Sequence, residues 1–198
     1  MLHPIWMKDE QRERFKCSQC DLINYQNPKI LVVAMVTCGL KLLLSRRAHK
    51  PSAGLWTPPS GFMEENETLE QATARETWEE AGVRLDPERL LLHTIVNLPS
   101  ISQVYVTFRV EVQTTEFNCG PECSEVAFFT EEEVPWQYLA YPAMFGFLRM
   151  FFQELKTNQF DVHLSHVDRS GKSRRRYYLK GVGDKEYSSG SKNTMLDG

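Results

Sequence analysis

The 198-residue chain has no apolar run approaching the roughly 20 residues of a membrane span, so no transmembrane helix is predicted. It has no excess of positive charge. Its 23 Lys and Arg against 26 Asp and Glu give a formal net charge of −3, which argues against a general nucleic-acid coat protein. Met1 to Phe15 mixes acids and bases without a long apolar stretch, and no signal peptide is expected. The five cysteines are an odd number in a chain of ordinary size, which suits a reducing cytoplasm better than a disulfide framework. What remains is 41% hydrophobic, enough for a sizeable core, and long enough for one main domain plus appendages.

One further absence is local. From Leu69 to Ala81 there is neither proline nor glycine, and the residues are good helix formers. Thr68 suits an N-cap, with Gln71 as the return arm of a capping box, and Gly82 sits where a left-handed C-cap residue belongs. The pattern predicts a helix over 69–81. Glu76, Glu79 and Glu80 then share one face. Three like charges there destabilise a bare helix, and a divalent cation removes the repulsion. The ligands are oxygens, which suits Mg²⁺ or Mn²⁺ rather than zinc. A solvated acidic face would account for the glutamates alone. It would not account for Gly61, Glu67, Arg75 and Gly82 at fixed offsets from them.

Together these residues spell G-x5-E-x7-R-E-x2-E-E-x-G over residues 61–82. This resembles the Nudix box, the metal-binding loop–helix of the Nudix hydrolases. The resemblance implies that Glu76, Glu79 and Glu80 hold metals or activate water. It implies that Arg75 orients the glutamates by ion pairing that includes Glu67, and that the Ser60 carbonyl is a further ligand. The reaction it implies is attack of water on a pyrophosphate phosphorus.

Along the chain, residues 30–37 read as a buried strand with 40–45 as hairpin partner, 49–60 as loop, and 90–97 as strand. Residues 103–112 alternate: Val104, Val106, Phe108, Val110 and Val112 face one way, Gln103, Tyr105, Thr107, Arg109 and Glu111 the other. Residues 124–129 are a short strand. Pro142 is expected to open a last helix whose apolar face is Met144, Phe145, Leu148, Phe151, Phe152 and Leu155. This is a mixed α/β (α+β) layered domain, consistent with the Nudix fold, a mixed sheet sandwiched between helices.

Beyond the box, C-S-Q-C-D-L-I-N-Y-Q-N-P-K (17–29), R-R-A (46–48), G-L-W-T-P-P-S-G-F-M-E (54–64), Q-V-Y (103–105) and V-P-W-Q-Y-L-A-Y-P (134–142) resemble the Nudix subgroup with an N-terminal zinc-ribbon remnant. Its members are related to NADH, FAD and ADP-ribose pyrophosphatases. The organisation expected is a degenerate ribbon-like segment over 1–29, the hydrolase domain over 30–165, and a polar, largely disordered tail over 166–198. The resemblance implies a small-molecule nucleotide substrate of dinucleotide type and AMP as a product. It also implies a homodimer, to which the C-terminal helix could contribute. The array S-Q-P-W-P-F of NADH-type enzymes is missing, which argues against strict NADH preference.

The resemblance offers Glu125, in S-E-V-A-F-F, as a fourth carboxylate, with Glu122 as its competitor. Arg46 and Arg47 are candidate pyrophosphate contacts. Phe62, Gln103 and Tyr105 are candidates for the substrate cleft, and Trp56 is read as core. Cys17 and Cys20 have zinc-knuckle spacing, but the partner CxxC is missing, and His3 or Cys119 and Cys123 would have to complete the site. The segment 168–198 holds eight Lys and Arg against four Asp and Glu, a local net of +4. Two rival readings follow: a nucleotide-sensing module without catalysis, and an RNA 5′-end hydrolase for which the basic tail is the support.

Overall fold

The computed structural model describes residues 1–167 other than 116, 118, 121, 142 and 143, and the backbone of 168 and 176–180. The expected opening of the last helix by Pro142 lies outside the described residues. The first 24 residues form a three-stranded antiparallel sheet, β1 (Leu2–Met7), β2 (Arg12–Cys17) and β3 (Ile23–Asn24), in the order β1-β2-β3.

The main sheet is mixed. It contains β4 (Lys29–Cys38), β5 (Lys41–Arg47), β6 (Trp56–Thr57), β7 (Ser60–Phe62), β8 (Leu91–Leu98), β9 (Gln103–Glu111), β10 (Cys123–Phe129), β11 (His163–Asp168) and β12 (Arg176–Lys180). Its order is β10-β5-β4-β9-β8-β11-β12, with β6 on β5 and β7 on β4. β4 runs parallel to β9, and β11 parallel to β8. β4 and β5 pair only at Thr37–Leu42 and Cys38–Lys41, next to the turn that joins them. Beyond it, β7 takes up the first half of β4 and β6 pairs with the end of β5. The two long strands therefore splay, and the loop that carries the box lies in the fork.

Two helices cover the two faces, α1 (Leu69–Ala81) and α2 (Met144–Thr157). Strand alternation sorts the core into two layers. Ala34, Val36, Leu43, Val106, Phe108 and Val110 face α1, packing with Ala81 and Val83. Val33, Met35, Leu42, Leu44 and Trp56 face α2, packing with Leu148, Phe151 and Phe152. Trp56 is a core residue, edge-to-face on Phe129 at 5.1 Å between ring centres. All six apolar positions read for α2 pack in this layer.

The α1 helix forms as its sequence dictates. Thr68 Oγ1 accepts from the Gln71 backbone N–H at 3.2 Å, and the Thr68 N–H donates to the side-chain Oε1 of Gln71 at 2.9 Å. Gly82 closes it at φ 66°, where a side chain would be strained.

Two boundaries differ from the sequence reading. The division at 165/166 falls inside β11, and Arg176–Lys180, assigned to a disordered tail, pairs with β11 as the edge strand β12. Short polar runs such as His163–Asp168 carry too little periodic apolar signal to read as strands alone; here β8 supplies the pairing partner. The rest of the tail lies outside the described residues. No described helix is long and apolar enough to cross a membrane.

Leu148 is fully buried under the sheet. Leu148→Ala is expected to lower stability by about 2–5 kcal/mol. Thr68→Ala, which removes only the cap, is expected to cost about 1 kcal/mol. Urea unfolding followed by circular dichroism checks both, and a smaller loss for Leu148→Ala than for Thr68→Ala would contradict this account of the packing.

Candidate active site

The loop before α1 is pinned to the sheet. Leu31, Val32 and Val33 pair with Phe62, Gly61 and Ser60. The Ala34 N–H donates to the Pro59 carbonyl at 2.9 Å, and the Met63 N–H to the Ile30 carbonyl at 3.1 Å. Gly61 then lies against Glu76, and a Cβ at this glycine would overlap the Glu76 carboxylate. The glycine is there because the acid needs the space.

Arg75 organises the acidic face. Its Nε and Nη2 donate to the two Glu67 oxygens at 3.0 and 2.7 Å, a bidentate pair. Nη1 donates to Glu76 Oε1 at 2.8 Å and to Glu79 Oε2 at 3.0 Å, and Nη2 also donates to the Phe62 carbonyl at 3.0 Å. One guanidinium thus ties the loop and Glu67 to two of the helix acids. It holds the Glu67 carboxyl below its ordinary pKa through these hydrogen bonds. Arg75 thus pairs with Glu67, Glu76 and Glu79, while Glu80 is held by other partners.

Glu80 is only 7% exposed. Its Oε2 accepts from the Ser60 N–H at 3.0 Å and from the Ser45 hydroxyl at 3.3 Å, which places the acid in the fork between β5 and β7. Burial pushes its pKa up to about 7, and repulsion from Glu76 adds to that, against the Ser60 hydrogen bond and Arg47. Burial also raises Glu76, with Glu79 and Glu122 adding repulsion and Arg75 opposing it. Buried carboxylates that repel one another are a set of hard oxygen donors short of positive charge, and a divalent cation such as Mg²⁺ or Mn²⁺ fits them.

Glu76, Glu80, Glu64 and Glu122 line one end of a cavity of about 690 Å³ between the sheet and α2. Ser60, Phe62, Gln103, Tyr105 and Arg47, all read from the sequence as site residues, line it too. Its floor is the second face of β9, where Gln103, Tyr105 and Thr107 alternate as read. Glu79 and Glu67 are not among the lining residues and meet the site through Arg75.

Three sequence expectations are corrected. Glu125 does not join the acids. Its Oε2 lies 3.3 Å from Arg46 Nη1, and neither residue lines the cavity. A β-bulge between Cys123 and Glu125 breaks the alternation of β10, and Glu125 is in register with Arg46. Arg46 also donates from Nε to the Gly54 carbonyl at 2.8 Å, which holds a loop rather than the cavity. The competitor of Glu125, Glu122, lines the cavity with Glu76 and Glu80 and adds to the repulsion on Glu76. Gly120 permits this: its N–H donates to the Glu80 carbonyl at 3.3 Å, and a Cβ there would overlap the Glu79 carbonyl. The sequence signal was the glycine two residues before the acid.

Nor do Cys17 and Cys20 gather a zinc site. Cys20 is exposed, Cys17 partly so, and among the described residues no third and fourth ligand joins them. The missing CxxC is not replaced by His3 or by Cys119 and Cys123, which lie at the start of β10 and just before it.

A model of the Nudix domain matches residues 27–151, and the chain belongs to the Nudix hydrolases, metal-dependent enzymes that split pyrophosphates. A Nudix hydrolase from Nitrosomonas europaea of known crystal structure superposes with a TM-score of 0.78 at 37% identity, over 85% of this chain and 94% of that one. The ADP-ribose pyrophosphatase of Methanocaldococcus jannaschii is 30% identical over 115 residues, 56% of this chain and 67% of that protein. The NAD-capped RNA hydrolase NudC of Chromobacterium violaceum is 38% identical over 82 residues, 41% of this chain and 30% of that protein. The chain therefore spans less than a third of the length of that NudC relative.

Gly61→Ala is expected to displace Glu76 and to reduce activity by at least ~100-fold at unchanged fold. Retained activity with native circular dichroism would contradict the close approach. Metal binding is expected to weaken as pH falls through about 7, because the buried Glu80 must lose its proton to bind. Mg²⁺ titration calorimetry at pH 6 and pH 8, in buffers of different ionisation enthalpy, measures both the weakening and the proton released. For the metal-free fold the sign is opposite. A carboxyl raised above its ordinary value contributes stability below about 4.5 and loses it as pH rises through about 7.

Proposed function

We propose that this chain hydrolyses the pyrophosphate of an ADP-containing, dinucleotide-type substrate, releasing AMP and the second phosphorylated product. ADP-ribose stands first, with FAD and NADH as alternatives of the same class. One observation carries the reading. The acidic face opens into a cavity too large for a pyrophosphate alone, with Leu31, Val33, Met35 and Val96 as apolar lining and the rings of Phe62, Tyr105 and Tyr141 along it. A nucleoside suits such a slot, since rings stack on bases. The relative named ADP-ribose pyrophosphatase supports the choice of leaving group.

A bound Mg²⁺ or Mn²⁺ supplies charge neutralisation on the phosphate oxygens and lowers the pKa of water. Glu76, Glu80 and Glu122, with the Ser60 carbonyl, would hold it. Arg75 fixes Glu76 and Glu79 in place before substrate arrives, so that little reorganisation is needed at reaction. Arg47 lines the same cavity and would face the pyrophosphate; its Nε is fixed on the Pro51 carbonyl at 3.1 Å. The water oxygen bonds to phosphorus, the bridging P–O bond breaks, and the departing phosphate leaves as the second product. The carboxylate that accepts the water proton belongs to the same acidic group.

A second reading places an NAD-type 5′ end of RNA in the site, because the chain is similar to proteins named NAD-capped RNA hydrolases. Both readings fit a reducing cytoplasm, given five free cysteines.

Product analysis with ADP-ribose, FAD, NADH and NAD-capped RNA, each with Mg²⁺ and with Mn²⁺, decides between them. AMP from the free dinucleotides is the expected result. Cleavage of the capped RNA alone would transfer the function to the second reading, and no cleavage of any would overturn both. Glu80→Gln is expected to lose at least ~100-fold in turnover, and full activity in that variant would refute the site.

A further inference from the structure

The cavity has a second polar end. The registers Thr94–Thr107, Thr107–Val33 and Val33–Ser60 place Thr94 three strand spacings from Ser60, about 14 Å at ~4.8 Å per strand. Beside Thr94 is His93, which also lines the cavity. A β-bulge between Leu92 and Thr94 interrupts the alternation of β8, so that two consecutive residues turn inward. His93 and Thr94 are each only 2% exposed. An imidazole is thereby aimed at the α2 side from a position that plain alternation would send elsewhere.

What it meets there is ionisable. Glu154 comes down from α2 and His163 across from β11, the parallel neighbour of β8. Glu154 Oε2 lies 2.7 Å from His93 Nε2, and Oε1 lies 2.7 Å from His163 Nε2. One donor atom from each of the three residues lies within 4.8 Å of the others. Phe151 and Phe160 pack edge-on against His93, at 5.2 and 6.4 Å between ring centres, and shield the group. Two buried polar atoms in this region, His163 Nδ1 and Ser165 Oγ, have no hydrogen-bond partner.

We propose that His93, Glu154 and His163 form a second metal site that takes a dication of the zinc class. Two imidazoles and one carboxylate are a transition-metal donor set, where the box acids offer only oxygen. Three protein ligands leave a position open, and His93 is the member of the group that also lines the cavity. An ion there is bound by the Nε2 lone pairs, so each ring carries its proton on Nδ1. For His93 the acceptor is already in place: Thr94 Oγ1 lies 2.8 Å from Nδ1. Such a partner fixes the ring that holds a metal. The ion would also fasten α2 to β8 and β11, the wall and floor of the cavity. The alternative state of the same residues is a metal-free clamp in which the carboxylate accepts from both Nε2–H groups, and the experiment separates the two.

The probe is Co²⁺, whose visible absorption reports coordination by imidazole and carboxylate. The full chain carrying Cys17→Ser, Cys20→Ser, Cys119→Ser and Cys123→Ser, which removes the paired cysteines and leaves Cys38 alone, is titrated with Co²⁺ in excess Mg²⁺. The expected result is visible bands saturating at one equivalent, displaced by one equivalent of Zn²⁺. They should be lost in both His163→Gln and Glu154→Gln and kept in Glu80→Gln. Zn²⁺ should also raise the thermal midpoint of the parent chain and leave that of His163→Gln unmoved. Absence of bands in a natively folded parent, or bands that survive His163→Gln, would overturn the site and leave the clamp. Because Glu80→Gln lies outside this group, failure here is separable from failure of the pyrophosphatase reading.

Discussion

The rest of the site depends on the guanidinium of Arg75. Four acids, Glu67, Glu76, Glu79 and Glu80, crowd onto one short helix and the loop before it, and three of them bond to this one cation. Without it the helix face would carry uncompensated like charge, and the loop would lose its tie at the Phe62 carbonyl. Lysine could not replace it, since no ammonium presents a planar fork that grips Glu67 with two donors while reaching two other carboxylates. The fourth acid, Glu80, stands apart. It is buried in the fork between β5 and β7 and is satisfied by a backbone N–H and a serine hydroxyl. Arg75 thus fixes position, and Glu80 supplies a buried charge for which a cation is the natural partner.

The sheet serves this arrangement by splaying. If β4 and β5 paired along their whole length, no room would remain for the loop between them. By parting after two residue pairs they admit β6 and β7, and β7 carries Ser60 and Gly61 to the acids. The other face of the same sheet, with α2 across it, forms the cavity. The two layers of core divide the labour: the layer under α1 sets the acids in place, and the layer under α2 forms the cavity beside them. His93, which lines the cavity, belongs to a buried His–Glu–His group, a polar cluster that three separate elements must meet to build.

Much of this was legible in the chain. The capping box at Thr68 and Gln71, the left-handed Gly82 and the acid spacing define α1 through interactions within a few residues of one another. Such interactions do not depend on the rest of the fold. The alternation of β9 likewise showed which side chains would face the cavity. The strand period is broken at bulges. Two of them, in β8 and β10, decided the direction of His93 and the isolation of Glu125. A bulge inserts one residue into a strand and leaves almost no mark in composition.

By itself the sequence determined the helix, its caps, the acids on one face and the arginine that orders them, because all of these lie within one local segment with a fixed period. Only the tertiary structure decided that Glu122 rather than Glu125 joins them, that Arg47 and not Arg46 lines the cavity, and that two histidines distant in the chain share one carboxylate. Those outcomes depend on strand register, on bulges and on one glycine that lets a loop touch the end of α1. Each joins residues far apart in the chain, and no local pattern records which ones meet.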